Sequence, residues 1–322
     1  MTSEQEHHHN YHRPVLLDAV LDNLAPQPGE RYLDLTAGYG GHASAIMGVA
    51  RLSEAVLVDR DKRAIEVLKQ LDLPGSKLIN SDFLSAAQQL REENKRFDMI
   101  LVDLGVSSPQ LDNPSRGFSF RADGPLDMRM DQGNDSLQSA ADLINTIDPE
   151  ELTALIKEYG QEPHARRITA AIVAARPLTG TKQLADVIEQ AIPRRPSFGR
   201  TPVHPATRTF QAIRIAVNDE LKQIEQTLPL LPDLLNEGGR VAIISFHSLE
   251  DRMVKQFFKE QSRYAYDSTL ELLTKKPISG ATEDSFHARS RSAKLRVAVK
   301  IKTKERSTHH ANRGKNEPLS NL

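Results

Sequence analysis

No cysteine occurs anywhere in the chain. That excludes a disulfide framework, a thiolate metal site, an iron–sulfur cluster and a cysteine nucleophile, and it suits a reducing compartment. Long hydrophobic runs are missing too. The longest uninterrupted apolar stretch is Ala170 to Ala175, far short of the roughly 20 residues a membrane span needs. The polar opening, Met1 to Asn10, has no signal-peptide core. These absences lead us to expect a soluble, cytoplasmic protein. Net charge is equally scarce, with 42 Lys and Arg against 43 Asp and Glu, so a polyanion would have to be held by local clusters of charge. What is present suffices for a full core: 322 residues, 39% of them apolar, fit two domains or one enlarged domain without covalent staples.

The first hundred residues alternate between strand and helix patterns. Arg31 to Leu35, Glu54 to Val58, Lys77 to Asn80 and Phe97 to Leu104 read as strands, the last with an apolar centre suited to a parallel sheet buried on both faces. Asp61 can cap a helix in which Ala64, Leu68 and Leu71 recur at helical spacing. This alternation predicts a doubly wound α/β sheet. From Ser107 to about Pro205 the strand signal disappears, and helical patterns at Pro149–Tyr159 and Pro163–Arg176 each start with a proline near the first turn. A helix from Ala206 then carries Phe210, Ile213, Val217, Leu221, Ile224 and Leu228 as one apolar stripe. Arg240 to Phe246 and Leu295 to Ile301 read as later strands. The expected organisation is a polar arm (1–10), a sheet domain (11–110 and 206–302), a loop with a helical insertion (111–205) and a disordered tail (303–322). No internal repeat is visible.

The first strand runs into Thr36-Ala37-Gly38-Tyr39-Gly40-Gly41-His42. Glycines at a strand–helix junction let a cofactor approach the backbone, and the helix N-terminus offers free N–H groups. Asp59 lies 21 residues after Gly38, at the end of the second strand, where an acid can accept both hydroxyl protons of a ribose. An adenosine-containing ligand is therefore expected. Gly38-x-Gly40-x-x-Ala43 also fits an NAD fingerprint. Against NAD stands the helical insertion, which interrupts the chain where a dinucleotide fold adds its second half. For S-adenosylmethionine stand Asp82-Phe83 after the third strand, toward adenine, and Asp103 after the fourth, toward the methionine end.

Longer motifs carry a resemblance. Asp103-Leu104-Gly105-Val106-Ser107-Ser108-Pro109-Gln110-Leu111-Asp112 leads to Arg116-Gly117-Phe118-Ser119-Phe120 and Asp123-Gly124-Pro125-Leu126-Asp127-Met128-Arg129-Met130. Further on stand His204-Pro205-Ala206-Thr207-Arg208-Thr209-Phe210-Gln211 and Ile244-Ser245-Phe246-His247-Ser248-Leu249-Glu250-Asp251. With His12 to Leu17 and Gly40-Gly41-His42, these resemble the ribosomal RNA small subunit methyltransferase H family over roughly residues 10 to 302. The resemblance implies a class I S-adenosylmethionine-dependent methyltransferase, a Rossmann-like doubly wound sheet with a helical insertion domain. The implied reaction is methylation of N4 of a decoding-region cytosine in 16S rRNA of the small ribosomal subunit. It places cofactor contacts on Gly40, Gly41, His42, Asp59, Phe83, Asp103 and Gln110. Ser81-Asp82-Phe83 departs from the family's usual Gly-Pro-Phe, and Asp82 there offers adenine an extra contact.

The N4 amine of cytosine is a poor nucleophile because its lone pair is delocalised into the ring. Catalysis should consist mostly of alignment, plus an acceptor for the amine proton. Asp103 is the expected catalytic carboxylate. Many amino-methylating enzymes carry an Asp/Asn-Pro-Pro-aromatic tetrad after the fourth strand; here Asp103-Leu104-Gly105-Val106 has neither proline pair nor ring. Phe118 or Phe120 in the next loop are the candidates for stacking on a base, with ordinary packing as the alternative. His247 has either a substrate role or a structural hydrogen bond. Arg214, flanking the apolar stripe, implies a buried partner, carboxylate or phosphate. Two acid-free basic segments, Gln190–Asn218 (Arg194, Arg195, Arg200, Arg208, Arg214) and Ser285–Lys304 (Arg289, Arg291, Lys294, Arg296, Lys300, Lys302, Lys304), suggest an RNA backbone footprint. The clusters His7-His8-His9 and His309-His310 lack spaced partners, and no metal is expected. An NAD-linked oxidoreductase and a non-catalytic ribosome-assembly factor are the competing readings. Oligomeric state is left open, a homodimer included, as is the choice between naked RNA and assembled subunit.

Overall fold

The computed structural model describes residues 13–134, 136–192, 204–263, 268–284 and 288–301. Eight strands form one sheet: β1 (Arg31–Asp34), β2 (Glu54–Asp59), β3 (Ser76–Asn80), β4 (Phe97–Asp103), β5 (Leu235–Ser245), β6 (Leu270–Leu272), β7 (Ile278–Ser279) and β8 (Lys294–Lys300). Their order is β3-β2-β1-β4-β5-β8-β6, with β7 also paired to β8. The first five in that order run parallel, and β8 pairs antiparallel with β5. Alternate side chains sort to opposite faces, as the two-residue period of a strand requires. Leu33, Val56, Ile100, Val102, Val241 and Ile243 face one helical layer, from which Ala87, Leu90, Ile224, Val254 and Phe258 descend. Tyr32, Ala55, Leu57, Met99, Leu101, Ala242 and Ile244 face the other, meeting Val20, Leu24, Ile46, Ile65 and Leu68. This double cover explains why β4 reads as a continuous apolar run. The helix Leu17–Leu24 and the short β6 and β7 join the expected elements. Among the described residues no helix is long and apolar enough to cross a membrane.

Between β4 and β5 the helices Ala140–Thr146, Pro149–Gly160, Ala165–Ala175 and Thr181–Ala191 enclose a second core, including Leu126, Met128, Ile144, Leu152, Ile156, Ile168, Ile172, Leu184 and Ile188. One correction concerns the stripe from Ala206. It is not one helix: Ala206–Asn218 ends at Asp219, which adopts the left-handed region (φ 53°), and Glu220–Thr227 restarts in a new direction. Asp is among the residues that tolerate this conformation. The freed carbonyl of Asn218 accepts hydrogen bonds from Arg60 Nη1 (3.3 Å) and Gln223 Nε2 (3.2 Å). The stripe is thereby divided. Phe210 and Ile213 complete the insertion's core, whereas Ile224 and Leu228 complete that of the sheet. The N-terminal arm, the tail and both histidine clusters lie outside the described residues.

Candidate functional site

At the carboxyl edge of the sheet lies a cleft of about 860 Å³, within the roughly 300–1,000 Å³ of ligand pockets. The glycine turn after β1 forms one wall. Gly38 takes a positive φ (53°), and its N–H donates to Asp59 Oδ2 at 2.8 Å; the Asp61 N–H donates to Asp59 Oδ1 at 2.7 Å. Two backbone donors thus orient the Asp59 carboxylate at the end of β2. Burial pushes its carboxyl up to about 6, against the lowering effect of those two hydrogen bonds.

Gly41, His42, Asp59, Phe83, Asp103 and Gln110 all line the cleft. Gly40 does not: its N–H donates to Ala37 O, and a Cβ there would strike Leu71 and Leu68 at 2.5 and 2.9 Å. Its bareness serves packing against the helix Lys62–Gln70. Gln110 reaches the cleft with both ends of its amide engaged, donating to Asp61 Oδ2 (3.1 Å) and accepting from the Ser107 N–H (3.0 Å). Phe83 begins the helix that Asp82 caps by accepting from Ser85 N and Oγ at 2.9 and 2.8 Å. Asp82 lines a smaller polar pocket next to the cleft.

Asp103 ends β4, where its N–H donates to Thr36 Oγ1 (2.6 Å). His42 Nε2 stands 3.6 Å from Asp103 Oδ2. Among the described residues, both ring nitrogens of buried His42 and Asp103 Oδ1 lack hydrogen-bond partners. A buried polar atom left so costs about 1–3 kcal/mol, which marks this pair as a place kept for a ligand. Beneath it Tyr32 donates to buried Asp34 at 2.7 Å; burial pushes the Asp34 carboxyl up to about 6.

Beyond β5, Glu250 Oε2 accepts the N–H groups of Phe246 (2.7 Å) and His247 (3.2 Å), while His247 Nδ1 accepts from Glu250 N (3.4 Å). Nε2 of the ring lies 2.9 Å from Glu250 Oε1, but off hydrogen-bond geometry, so among the described residues both atoms are left without a hydrogen-bond partner. Glu220 joins this group. Arg214 holds both Glu220 oxygens, Nε and Nη2 each at 2.8 Å, so its partner is a carboxylate. Arg214, Glu220, His247 and Glu250 thus form a polar network in the wall of the cleft, tied together by the Arg214–Glu220 pair and by the backbone N–H groups that Glu250 accepts.

Other expectations require correction. Phe118 is buried in the insertion's core beside Arg116, and Phe120 packs on His204 and Phe210 with ring centroids 4.6 and 4.8 Å apart. Neither lines the cleft. Three bases of the second basic segment meet acids distant in the chain, and a fourth meets backbone carbonyls. Lys294 and Arg296 pair with Asp251 (2.9 and 2.8 Å), Arg289 pairs with Asp112, and Lys300 donates to Pro232 O and Leu235 O. Arg194, Arg195, Arg200, Lys302 and Lys304 lie outside the described residues.

A parallel run β3-β2-β1-β4-β5 flanked by antiparallel β8, with a glycine turn after β1 and an acid after β2, is the arrangement of a class I S-adenosylmethionine-dependent methyltransferase. A dinucleotide-binding sheet would continue with a parallel strand, so the NAD reading falls. Residues 9–301 match the MraW methylase family, and the chain belongs to that family. Its relatives include proteins called ribosomal RNA small subunit methyltransferase H. That of Cyanothece sp. is 48% identical over 291 residues, covering 90% of this chain and 95% of the relative. That of Geobacter sp. is 47% identical over 313 residues, covering 90% and 99%.

The state of Asp59 gives a first expected result. For Asp59 as a ribose acceptor, the carboxylate form is required; as pH falls through about 6 it takes up a proton and loses that capacity. Cofactor affinity measured by calorimetry should therefore weaken below pH 6, approaching tenfold per unit. Asp59→Asn should bind more weakly at pH 7.5 and show no such step. A wild-type profile flat from pH 7.5 to 5 would remove Asp59 from the ribose.

Proposed function

We propose that this methyltransferase modifies N4 of a cytosine in the decoding region of 16S rRNA, acting on the small ribosomal subunit in the cytoplasm. The observation that carries this reading is the Asp103 carboxylate at the end of β4, with an unpartnered oxygen, in a cleft with room beyond the cofactor wall. The names of the relatives support the RNA substrate. When bound, S-adenosylmethionine supplies a methyl group already activated by its sulfonium. Asp59 accepts from the ribose, the turn at Gly38 and Gly41 admits the cofactor to the backbone, and Phe83 flanks adenine. Asp103 orients the amine and accepts its proton, while His42 faces that carboxylate from the first helical turn. Transfer to cytosine C5 through a thiolate adduct is excluded, because the chain has no cysteine.

Mass-spectrometric nucleoside analysis of small-subunit rRNA from cells with and without the protein tests the assignment. N4-methylated cytidine should disappear without it; an unchanged nucleoside profile would overturn the reading.

The RNA backbone is assigned to the cleft mouth. Arg121 lines it, exposed and without a guanidinium partner among the described residues. Each phosphate so neutralised contributes about 0.7 to the slope of log affinity against log salt for a single strand. Arg121→Gln should flatten that slope by roughly 0.7. Parallel wild-type and variant lines would put the phosphates elsewhere.

A further inference from the structure

We propose that Phe246 is the stacking platform for the target base, an inference that rests on the RNA-methylating reading above. The loop after β4 has no ring, and Phe118 and Phe120 are committed to the insertion's core. Among the described residues, the phenyl and phenol rings lining the cleft are those of Tyr39, Phe83 and Phe246; the imidazoles of His42 and His247 also line it, each facing a carboxylate. Tyr39 belongs to the glycine turn after β1, and Phe83 follows β3. Both lie on the cofactor side of Asp103 in the order β3-β2-β1-β4-β5. Phe246 follows β5, on the opposite side.

Its position is tied to the catalytic strand. A Cβ on Gly105, two residues after Asp103, would stand 3.5 Å from Phe246 Cδ2. The ring thus lies against the backbone that leaves β4. Part of it packs on the core beneath that face of the sheet, and the rest borders the cleft. The backbone is fixed as well, because fully buried Glu250 accepts the N–H groups of both Phe246 and His247. A half-buried ring, immobilised beside the methyl-accepting position, offers a flat face to a base taken out of its stack. Any base has such a face, so the ring holds the nucleotide while polar atoms nearer Asp103 choose it.

Methyl transfer to small subunits from cells lacking the protein tests this, with cofactor affinity followed by calorimetry. Phe246→Ala should lower kcat/KM for subunits by roughly 10- to 100-fold, the range for one base–aromatic stack, and leave cofactor affinity unchanged. Phe246→Leu, which keeps apolar bulk for the core, should be nearly as impaired, and Phe246→Tyr should recover most of the rate. Wild-type kinetics in Phe246→Leu would overturn the proposal, as would an equal loss of cofactor affinity in Phe246→Ala. Inactivity of the wild type on these subunits would instead overturn the RNA-methylating reading, and the role of the ring with it.

Discussion

Asp103→Asn should reduce kcat by roughly 10²-fold or more, the lower end of what a positioned proton acceptor contributes. The substitution preserves size and removes charge. The N–H of residue 103 still donates to Thr36 Oγ1, so β4 and β1 stay joined. An amide neither takes up the amine proton nor balances positive charge developing there. The decisive measurement is kcat at saturating cofactor. Had Asp103 served only to hold the cofactor, saturation would restore turnover; a role in the transfer step leaves kcat low. A folded variant with normal kcat and normal KM for both substrates would dismiss Asp103 from the chemistry. Removal of the imidazole in His42→Ala should have a smaller effect, since His42 faces Asp103 at 3.6 Å, beyond a hydrogen bond.

The largest expected loss of stability follows from Arg116→Ala. Arg116 is 1% exposed. It donates to Asp61 at 2.6 Å and to the carbonyls of Arg129 and Met130 at 3.2 and 2.7 Å. Asp61 also caps the helix Lys62–Gln70 through Arg63 N (3.0 Å) and receives Gln110. Removing the guanidinium leaves that carboxylate buried without its counter-charge, a change costing about 3–5 kcal/mol, against a total of roughly 5–15 kcal/mol for a folded domain. Urea denaturation should show the loss. The pair Asp61→Asn with Arg116→Met should recover part of it, because no unbalanced charge remains. A loss below about 1 kcal/mol for Arg116→Ala would mean water reaches Asp61 and the pair behaves as a surface bridge.

The sheet was legible because its signals are local. Strand, glycine turn, helix, strand and terminal acid occur in order from Arg31 to Asp59, and a strand buried on both faces announces itself in Phe97–Asp103. Asp59 and Asp103 followed from strand ends alone. What escaped the sequence depends on distant partners. The apolar period runs unbroken through Asp219, and contacts from distant or later residues, among them Arg60, Gln223 and the Arg214–Glu220 pair, stabilise the bend there. An acid-free stretch of chain is not an acid-free region of space: Asp251 and Asp112 come from far away to meet Lys294, Arg296 and Arg289. Gly40 and Gln110 carry family motifs, but their immediate contacts are with helix and loop. Phe246 was visible as part of a motif. Its place beside Gly105 needed the register between β4 and β5, which pairs Asp103 with Ile244.

The bend at Asp219 also decides where the molecule can be divided. Cutting the insertion out at residue 205, where its sequence character ends, would keep the helix Ala206–Asn218 and strip Phe210 and Ile213 of the side chains they pack against. The remaining sheet would carry a sticky, partnerless rod across the floor of its own cleft. An excision ending at Asn218 removes that helix with its core and leaves Ile224 and Leu228 seated on the sheet. The seam between the two bodies therefore falls inside an apolar repeat, at a single aspartate.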